Sequence, residues 1–192
     1  RHMRIVTGDL RGREIAFNPR RHGDIRVTSS RLKESLFGML GPDLNGQTFL
    51  DLCAGCGQIG LEAYSRGGKV TMNEPHRKRS KLLKDLMRNW RLRGVELVSA
   101  KAQVLIPRFA EQGRGFDTIY LDPPYRARLG GASLFAALVD RLSDGALLNP
   151  GGLLAVQHSR DTELDRDSGL LQMVLQRRYG DTLLSIYAAP DS

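Results

Sequence analysis

Short apolar runs typical of β-strands alternate, from residue 48 onward, with longer segments whose apolar residues recur at helical spacing. Strands are predicted over 48–52, 69–73, 96–100, 116–121 and 152–157, and helices over 57–66, 76–93, 102–110 and 132–142. Strand–helix units repeated at this spacing specify a doubly wound α/β fold, in which helices cover both faces of a mostly parallel sheet.

The two ends of the chain depart from this alternation. Runs over 4–8 and 12–17 predict a small N-terminal β-hairpin. Runs over 170–178 and 181–188, joined at Tyr179-Gly180, predict an antiparallel pair that closes one edge of the main sheet. Together with the five strands above, this pair predicts a seven-stranded, mostly parallel sheet.

A helix N-cap marks the start of the main fold. Thr28-Ser29-Ser30 precedes apolar residues at helical spacing, and Gly41-Pro42 ends that helix. Two domains are therefore predicted, a basic hairpin extension over 3–27 and the α/β domain over 28–192. Arg1-His2, ahead of the first Met, is typical of an expression-tag remnant, and we take that Met as the natural start.

The net charge of +8 is unevenly distributed along the chain. Residues 1–33 carry nine Lys or Arg against three acids, and residues 76–93 carry eight against one, so the remainder is net negative. Clustering like charges costs self-repulsion, and a polyanionic partner is the commonest reason for it. For 1–33 we favour contact with nucleic acid. For 76–93 a solvated helix face is an equally good interpretation.

Cys53 and Cys56 are the two cysteines of the chain. One C-x-x-C pair cannot complete a tetrahedral zinc site from cysteine alone, so we expect no metal and interpret both as small residues in a tight turn of a reduced protein. A thioredoxin-like redox pair is the alternative, but it leaves the neighbouring glycines unexplained.

No apolar run approaches the roughly 20 residues that a membrane-spanning helix needs. Nothing at the start of the chain resembles a signal peptide. We therefore expect a cytoplasmic protein with no membrane partner. We also expect a monomer, because no exposed apolar stripe is evident.

The segment DLCAGCGQIG, from Asp51 to Gly60, lies where a predicted buried strand turns into a helix. In a doubly wound sheet this turn is the ligand crevice. Gly55 and Gly57 let the backbone approach a ligand, and the helix N-terminus offers N–H groups to a pyrophosphate or a carboxylate. Glu74 closes the next strand, where its carboxylate can accept both hydroxyls of a ribose. These features predict an adenosine-containing cofactor, and both dinucleotide enzymes and methyltransferases fit them.

Asp122-Pro123-Pro124-Tyr125 follows the strand predicted over 116–121. An aromatic amine is a poor nucleophile because its lone pair is delocalised into the ring, so it must be held with that lone pair facing a methyl donor. The Asp122 carboxylate and the Pro123 carbonyl can each accept one N–H of the amine, which orients it and stabilises its developing positive charge. Tyr125 offers a ring on which an unstacked base can lie. A rigid turn is the alternative for this tetrapeptide alone, but the preceding Gly-rich turn and Glu74 favour methyl transfer to a base.

The chain resembles the RsmD family, bacterial methyltransferases that modify N2 of a guanine in 16S ribosomal RNA. The similar segments are the opening 3–13, Arg26–Phe37, 51–63, Ser65-Arg66-Gly67, 122–125 and 179–182. Because D-P-P-Y is shared with DNA adenine methylases, the N-terminal segments make the resemblance specific. It implies a Rossmann-like class I fold, S-adenosylmethionine as cofactor, and 16S rRNA within the small ribosomal subunit as substrate.

The resemblance also implies roles for individual residues. The expected cofactor-binding residues are Arg26, Thr28, Asp51, Cys53, Ala54, Gly55, Gly57, Glu74, Ala102 and Asp122. The expected catalytic residues are Asp122, Pro123 and Tyr125, and the expected RNA-binding residues are Arg11, Arg13, Arg31 and Tyr125.

Some positions depart from the family pattern. Lys101 stands where an Asp usually meets the adenine amino group, Ser30 replaces an Asp, and Val27 replaces a Pro. These departures are the sequence basis for one alternative, an RNA-binding ribosome assembly factor with weak catalysis. A DNA amino-methyltransferase is the other, and the lack of a separate target-recognition domain to read a duplex argues against it.

Overall fold

The predicted alternation of strands and helices is present in the computed structural model, which describes residues 3–124 and 126–191. The chain divides into two units, Arg1–Ala100 and Lys101–Ser192. The first unit contains β1 (Met3–Arg4), β2 (Glu14–Ile15), α1 (Pro19–His22), α2 (Ser30–Leu40), β3 (Thr48–Asp51), α3 (Gly60–Ser65), β4 (Lys69–Asn73), α4 (Arg77–Asn89) and β5 (Glu96–Val98). The second contains α5 (Ala102–Glu111), β6 (Phe116–Leu121), β7 (Arg128–Leu129), β8 (Ala132–Ser133), α6 (Leu134–Leu142), β9 (Leu148–Ser159), β10 (Asp167–Ser168), β11 (Leu171–Tyr179) and β12 (Thr182–Ala188).

Strands β3, β4 and β5 of the first unit pair in parallel, with β4 in the middle. Phe49 is in register with Val70, and Met72 with Leu97. Strands β3 and β4 are buried along nearly their whole length, as is typical of parallel strands covered on both faces. Because the strands are parallel, the Gly-rich turn after β3 and Glu74 after β4 begin at the same edge of this sheet.

A buried ionic cluster attaches the N-terminal hairpin to α2 and α3. The Glu62 side chain is fully buried and accepts hydrogen bonds from the backbone N–H groups of Val6, at 3.0 Å, and Thr7, at 3.0 Å. The Lys33 ammonium lies 3.7 Å from Glu62 Oε2, and Arg66 Nη2 lies 3.4 Å from Glu62 Oε1. Burial lowers the pKa of Lys33, and the Glu62 carboxylate opposes that shift. A charge this deeply buried is stable only with such partners.

Ser65 and Gly8 complete the attachment of the hairpin. Ser65 Oγ donates to the Thr7 carbonyl at 2.6 Å and accepts from the Leu10 N–H at 2.9 Å. Gly8 has a φ of +89°, and a Cβ at that position would lie 1.8 Å from the Ser65 carbonyl oxygen. Only glycine allows the backbone at position 8 to lie so close to the Ser65 carbonyl, so the hairpin packs on α3 in one defined position.

In the second unit, β6 and β9 pair in parallel, and α6 lies between them in the chain. Strand β9 also pairs antiparallel with β12, and β12 pairs antiparallel with β11. Along the first half of β11, exposed residues alternate with buried or half-buried ones, which is typical of an antiparallel strand with one face in solvent. The seven predicted strands are thus present in the two units, and the two-residue β10 adds a short pairing to β11.

The structure corrects the predicted N-terminal elements. The hairpin strands are only two residues long each, because Gly8 and Gly12, with φ of +89° and +85°, turn the chain between them. The sequence analysis did not predict α1, whose N-cap is Asn18 and whose first residue is Pro19. Across the described residues, no helix is long and apolar enough to cross a bilayer; α4 is the longest, at 13 residues.

Candidate functional site

The Gly-rich turn after β3 is held by its own backbone and by Asp51. Asp51 is buried, and its Oδ2 accepts the Gly60 N–H at 2.9 Å, which fixes the first turn of α3. Gly57 has a φ of +86°, and a Cβ there would lie 2.7 Å from Leu83 Cδ2. Helix α3 therefore begins at Gly60 rather than at the predicted residue 57, because Gly57 is in the left-handed region.

Glu74 is buried directly after β4, and three donors hold its carboxylate. Its Oε2 accepts the Gly55 N–H at 2.7 Å. Its Oε1 accepts the His76 N–H at 2.9 Å and the Arg79 Nε–H at 3.1 Å. A carboxylate has about four acceptor positions, so one remains, on Oε2. The predicted ribose acid is thus preorganised, and its orientation depends on Arg79, which the sequence analysis did not identify.

Asn73 is a second positioning residue that the sequence analysis missed. Its side-chain amide donates to the Leu52 carbonyl at 3.1 Å and to the Ala100 carbonyl at 2.8 Å, and its Oδ1 accepts the Ala100 N–H at 3.1 Å. The Asn73 carbonyl also accepts the Ala54 N–H at 2.8 Å. One buried amide therefore joins the chain after β3 to the chain after β5. A polar residue at the buried end of a strand was the available sequence signal.

Gln58 brings the Arg26–Thr28 segment to the Gly-rich turn. Its Oε1 accepts the Thr28 N–H at 2.9 Å, and its Nε2 donates to the Arg26 carbonyl at 3.0 Å. A Cβ on Gly55 would lie 3.5 Å from Ile25 Cδ1, so the preceding residue also contacts the turn. The structure thus places the predicted cofactor residues of the N-terminal segment beside those of the turn, although they are 30 residues apart.

The two cysteines occupy the same turn. Cys56 is fully buried with its Sγ 3.1 Å from Met3 Sδ, and burial raises the pKa of its thiol to about 12, which opposes thiolate chemistry. Cys53 is half-buried, and neighbouring Ala54 is buried. Among residues 3–124 and 126–191, no cluster of three or more His, Cys, Asp or Glu could hold a metal ion.

In the second unit, Asp122-Pro123-Pro124 directly follows β6. Asp122 is half-buried, Pro123 is buried and Pro124 is exposed, and the Pro124 carbonyl accepts the Ala127 N–H at 3.0 Å in a turn. Tyr125, predicted as the stacking ring, lies outside the described residues. Upstream in β6, the hydroxyl of buried Tyr120 donates to Gln157 Oε1 on β9, which ties the strand before the motif to its neighbour.

The remaining predicted residues lie at element ends or in the hairpin. Ala102 is buried as the first residue of α5, and Lys101, at its N-cap, is exposed. Arg11, Arg13 and Arg31 are all exposed. The Arg13 guanidinium lies over the Trp90 ring, 5.5 Å from its centroid, so this arginine also contributes to packing.

Comparisons with known proteins agree with this fold. The family model described as Conserved hypothetical protein 95 matches residues 3–188. The chain is 30% identical to YlbH of Bacillus subtilis (strain 168), described as a candidate rRNA methyltransferase, over 96% of this chain and 98% of that protein. It is also 30% identical to Ribosomal RNA small subunit methyltransferase D of Escherichia coli (strain K12), over 81% of this chain and 74% of that protein.

A solved structure extends the likeness to the whole fold. The structure of yhhF from Escherichia coli, described as a candidate methyltransferase, superposes with a TM-score of 0.81 at 24% identity and covers 100% of both chains. The fold is therefore that of the Rossmann-like α/β methyltransferases, as the sequence predicted. Within that class, the chain belongs to the RsmD family.

Proposed function

We propose that this chain methylates the exocyclic N2 of a guanine in 16S rRNA within the assembled small ribosomal subunit. The broader statement, that it is an S-adenosylmethionine-dependent rRNA methyltransferase, follows from its family. The guanine N2 target, the assembled subunit as substrate, a monomeric state and a cytoplasmic location are our proposals. The main support for an amine as the target is the Asp122-Pro123-Pro124 segment, which directly follows β6.

The first unit fits the cofactor. Bound S-adenosylmethionine would supply an electrophilic methyl group on its sulfonium. Gly55 and Gly57, with φ of +61° and +86°, allow the turn a left-handed backbone conformation that other residues would adopt only with strain. We propose that the open acceptor position on Glu74 Oε2 takes one ribose hydroxyl, since a second would compete with Arg79 for Oε1.

The remaining cofactor assignments stay proposals. We propose that Asp51, Cys53, Ala54 and Gly57 line the methionine portion, that Arg26 and Thr28 border it, and that Ala102 and Asp122 of the second unit also contribute. Support for Arg26 and Thr28 comes from Gln58, which holds their backbone beside the turn.

Asp122 and Pro123 are proposed to hold the target amine. Each would accept one N–H, so the lone pair is held away from the two acceptors and toward the methyl group, and the carboxylate stabilises the positive charge that develops on nitrogen. Pro123 and Pro124 have no N–H, so the loop presents acceptors without competing donors. Tyr125 is proposed to stack on the base.

Glu74→Gln is expected to weaken binding of S-adenosylmethionine by about 10- to 100-fold. The amide keeps the size of the side chain but loses its charge, and hydrogen bonds to a charged group contribute about 1.5–3 kcal/mol. Isothermal titration calorimetry with the cofactor and with S-adenosylhomocysteine measures the change. Glu111→Gln, at an exposed helix end, is the matched control and should bind as the parent does. Unchanged affinity in Glu74→Gln would mean that another group holds the ribose.

The substrate proposal is tested by methyl transfer from tritiated S-adenosylmethionine. Assembled small subunits, free 16S rRNA and duplex DNA are compared in parallel, and nucleoside mass spectrometry identifies the product. Incorporation into small subunits as N2-methylguanosine is the expected result. Methylated DNA would favour the DNA amino-methyltransferase instead. Cofactor binding with no transfer to any substrate would favour a non-catalytic assembly factor, the alternative that Lys101, Ser30 and Val27 raise.

A further inference from the structure

A groove of about 580 Å³ lies in the first unit between the short helix α1 and the long helix α4. Its apolar lining comes from Ala16, Leu82 and Leu86, and Asn89 lines it near the end of α4. None of these residues belongs to the Gly-rich turn or to the proposed cofactor site. The groove is therefore a surface separate from the proposed cofactor site.

The polar lining of the groove is strongly basic. Arg21 comes from α1, Lys78 and Lys81 come from α4, and all three are exposed. Among the described residues that line the groove, the one acid is Asp85, whose Oδ2 accepts from Lys81 Nζ at 2.8 Å and whose Oδ1 accepts from Arg88 Nη2 at 3.0 Å. The two basic segments found in the sequence, 1–33 and 76–93, thus face each other across this groove.

His22 is a buried residue of the groove lining, with Arg21 and Lys78 nearby. Its Nδ1 accepts the Asn18 N–H at 3.0 Å, so the ring is held as the neutral acceptor at that nitrogen. Burial lowers the pKa of His22, and the nearby charges of Arg21 and Lys78 lower it further. Positive charges that already repel a proton from this ring would be offset by an anion bound in the groove.

We propose that the groove between α1 and α4 binds a phosphodiester segment of the RNA substrate. The proposal rests on the proposed function, because that function makes the partner an RNA. The basic rim neutralises backbone phosphates, and the apolar lining suits the ribose carbons between them. An acidic peptide is the competing occupant and is an outcome of the test below.

The double variant Arg21→Gln/Lys78→Gln removes two charges from the groove, one from each helix. If both contact phosphates, the slope of log K against log [salt] should fall by about 1.4–1.8, because each contact contributes about 0.7–0.9. If the variant and the parent bind RNA equally at about 1 M salt, this smaller slope corresponds to roughly 25- to 60-fold weaker RNA binding by the variant at 0.1 M salt. Filter binding of 16S rRNA and of small subunits at several salt concentrations measures it.

The matched control is Arg77→Gln/Lys84→Gln, which removes the same charge from exposed positions of α4 that do not line the groove. The slope of log K against log [salt] for this control should fall by less than half as much as it does for Arg21→Gln/Lys78→Gln. Equal losses of RNA affinity in the two double variants would contradict RNA binding in the groove. They would show that positive charge on α4 contributes equally wherever it lies on the helix. Calorimetry with S-adenosylmethionine should give parental affinity for both, because neither changes Arg79 or Glu74.

Asp85→Asn gives a test of the opposite sign, which a folding defect cannot imitate. It removes the only acid among the described residues that line the groove and releases both Lys81 and Arg88, so RNA affinity should rise and the salt slope should steepen by up to about 1. Unchanged or weaker RNA binding by this variant would contradict the proposal. Stronger binding of a poly-glutamate peptide, without a change for RNA, would assign the groove to an acidic protein partner.

The two proposals fail in different ways. If the parent protein transfers no methyl group to rRNA, the proposed function fails. If the parent methylates rRNA but Arg21→Gln/Lys78→Gln retains parental RNA affinity and salt slope, only the groove is wrong.

Discussion

Replacing Asp122 by Ala is expected to lower the rate of methyl transfer to rRNA by about 10²–10³, the largest effect on activity expected from one substitution. The proposed carboxylate both orients the amine and meets the charge that develops on it, and losing one such preorganised group typically costs about 2.7–4 kcal/mol of transition-state stabilisation. Single-turnover incorporation of tritium from S-adenosylmethionine into small subunits measures the rate of the chemical step.

Two further variants separate catalysis from folding and cofactor binding. Asp122→Asn keeps one oxygen acceptor and should lose less activity than Asp122→Ala. Glu163→Ala removes a carboxylate from an exposed loop of the same unit and should retain parental activity. Because the Asp122 side chain is proposed to contact chiefly the amine, cofactor affinity should stay within a few fold in all three. Full activity of Asp122→Ala would remove this residue from the mechanism.

Glu62→Gln is expected to lower the free energy of unfolding by about 3–5 kcal/mol, the largest effect on stability expected from one substitution. The amide cannot neutralise Lys33 and Arg66, whose side chains are only 3% and 7% exposed beside it. Its NH2 group, in place of Oε2, would also face the Val6 N–H and the Lys33 ammonium, two donors that now meet a carboxylate oxygen. Urea and thermal denaturation followed by circular dichroism should show the loss, roughly 6–20 °C in Tm for a chain of this size.

Glu34→Gln is the matched control for that experiment. Glu34 is exposed on α2, one residue from Lys33, and its change should stay within about 0.5 kcal/mol of the parent. Hydrogen exchange should show which part loosens, and loss of protection at Val6 and Thr7 is expected first. A Glu62→Gln protein as stable as the parent would show that the hairpin is held by its apolar contacts alone.

Much of the candidate site could be predicted from the sequence because each of its motifs has a local sequence signal. The Gly-rich turn, Glu74 and Asp122-Pro123-Pro124 each follow a strand directly, so recognising the strand also locates the residue. The helix α1 could have been predicted as well, since Asn18-Pro19 is an N-cap followed by a proline at the first helical position. That helix is only four residues long, and no apolar periodicity develops over one turn. The usual sequence signal of a helix is therefore missing.

By itself, the sequence determined the strand–helix alternation, the N-cap at Ser29 and the left-handed glycines of the turn, since each depends on local spacing or on the backbone preference of one residue. Only the tertiary structure decided that Lys33 is buried against Glu62 and that Glu62 holds backbone 56 residues away. It also decided that Arg79 orients Glu74 and that the two basic segments line one groove. The physical reason is that burial and ion pairing depend on which distant segments meet, and the local pattern of a lysine or glutamate on a helix is the same whether that face meets solvent or protein.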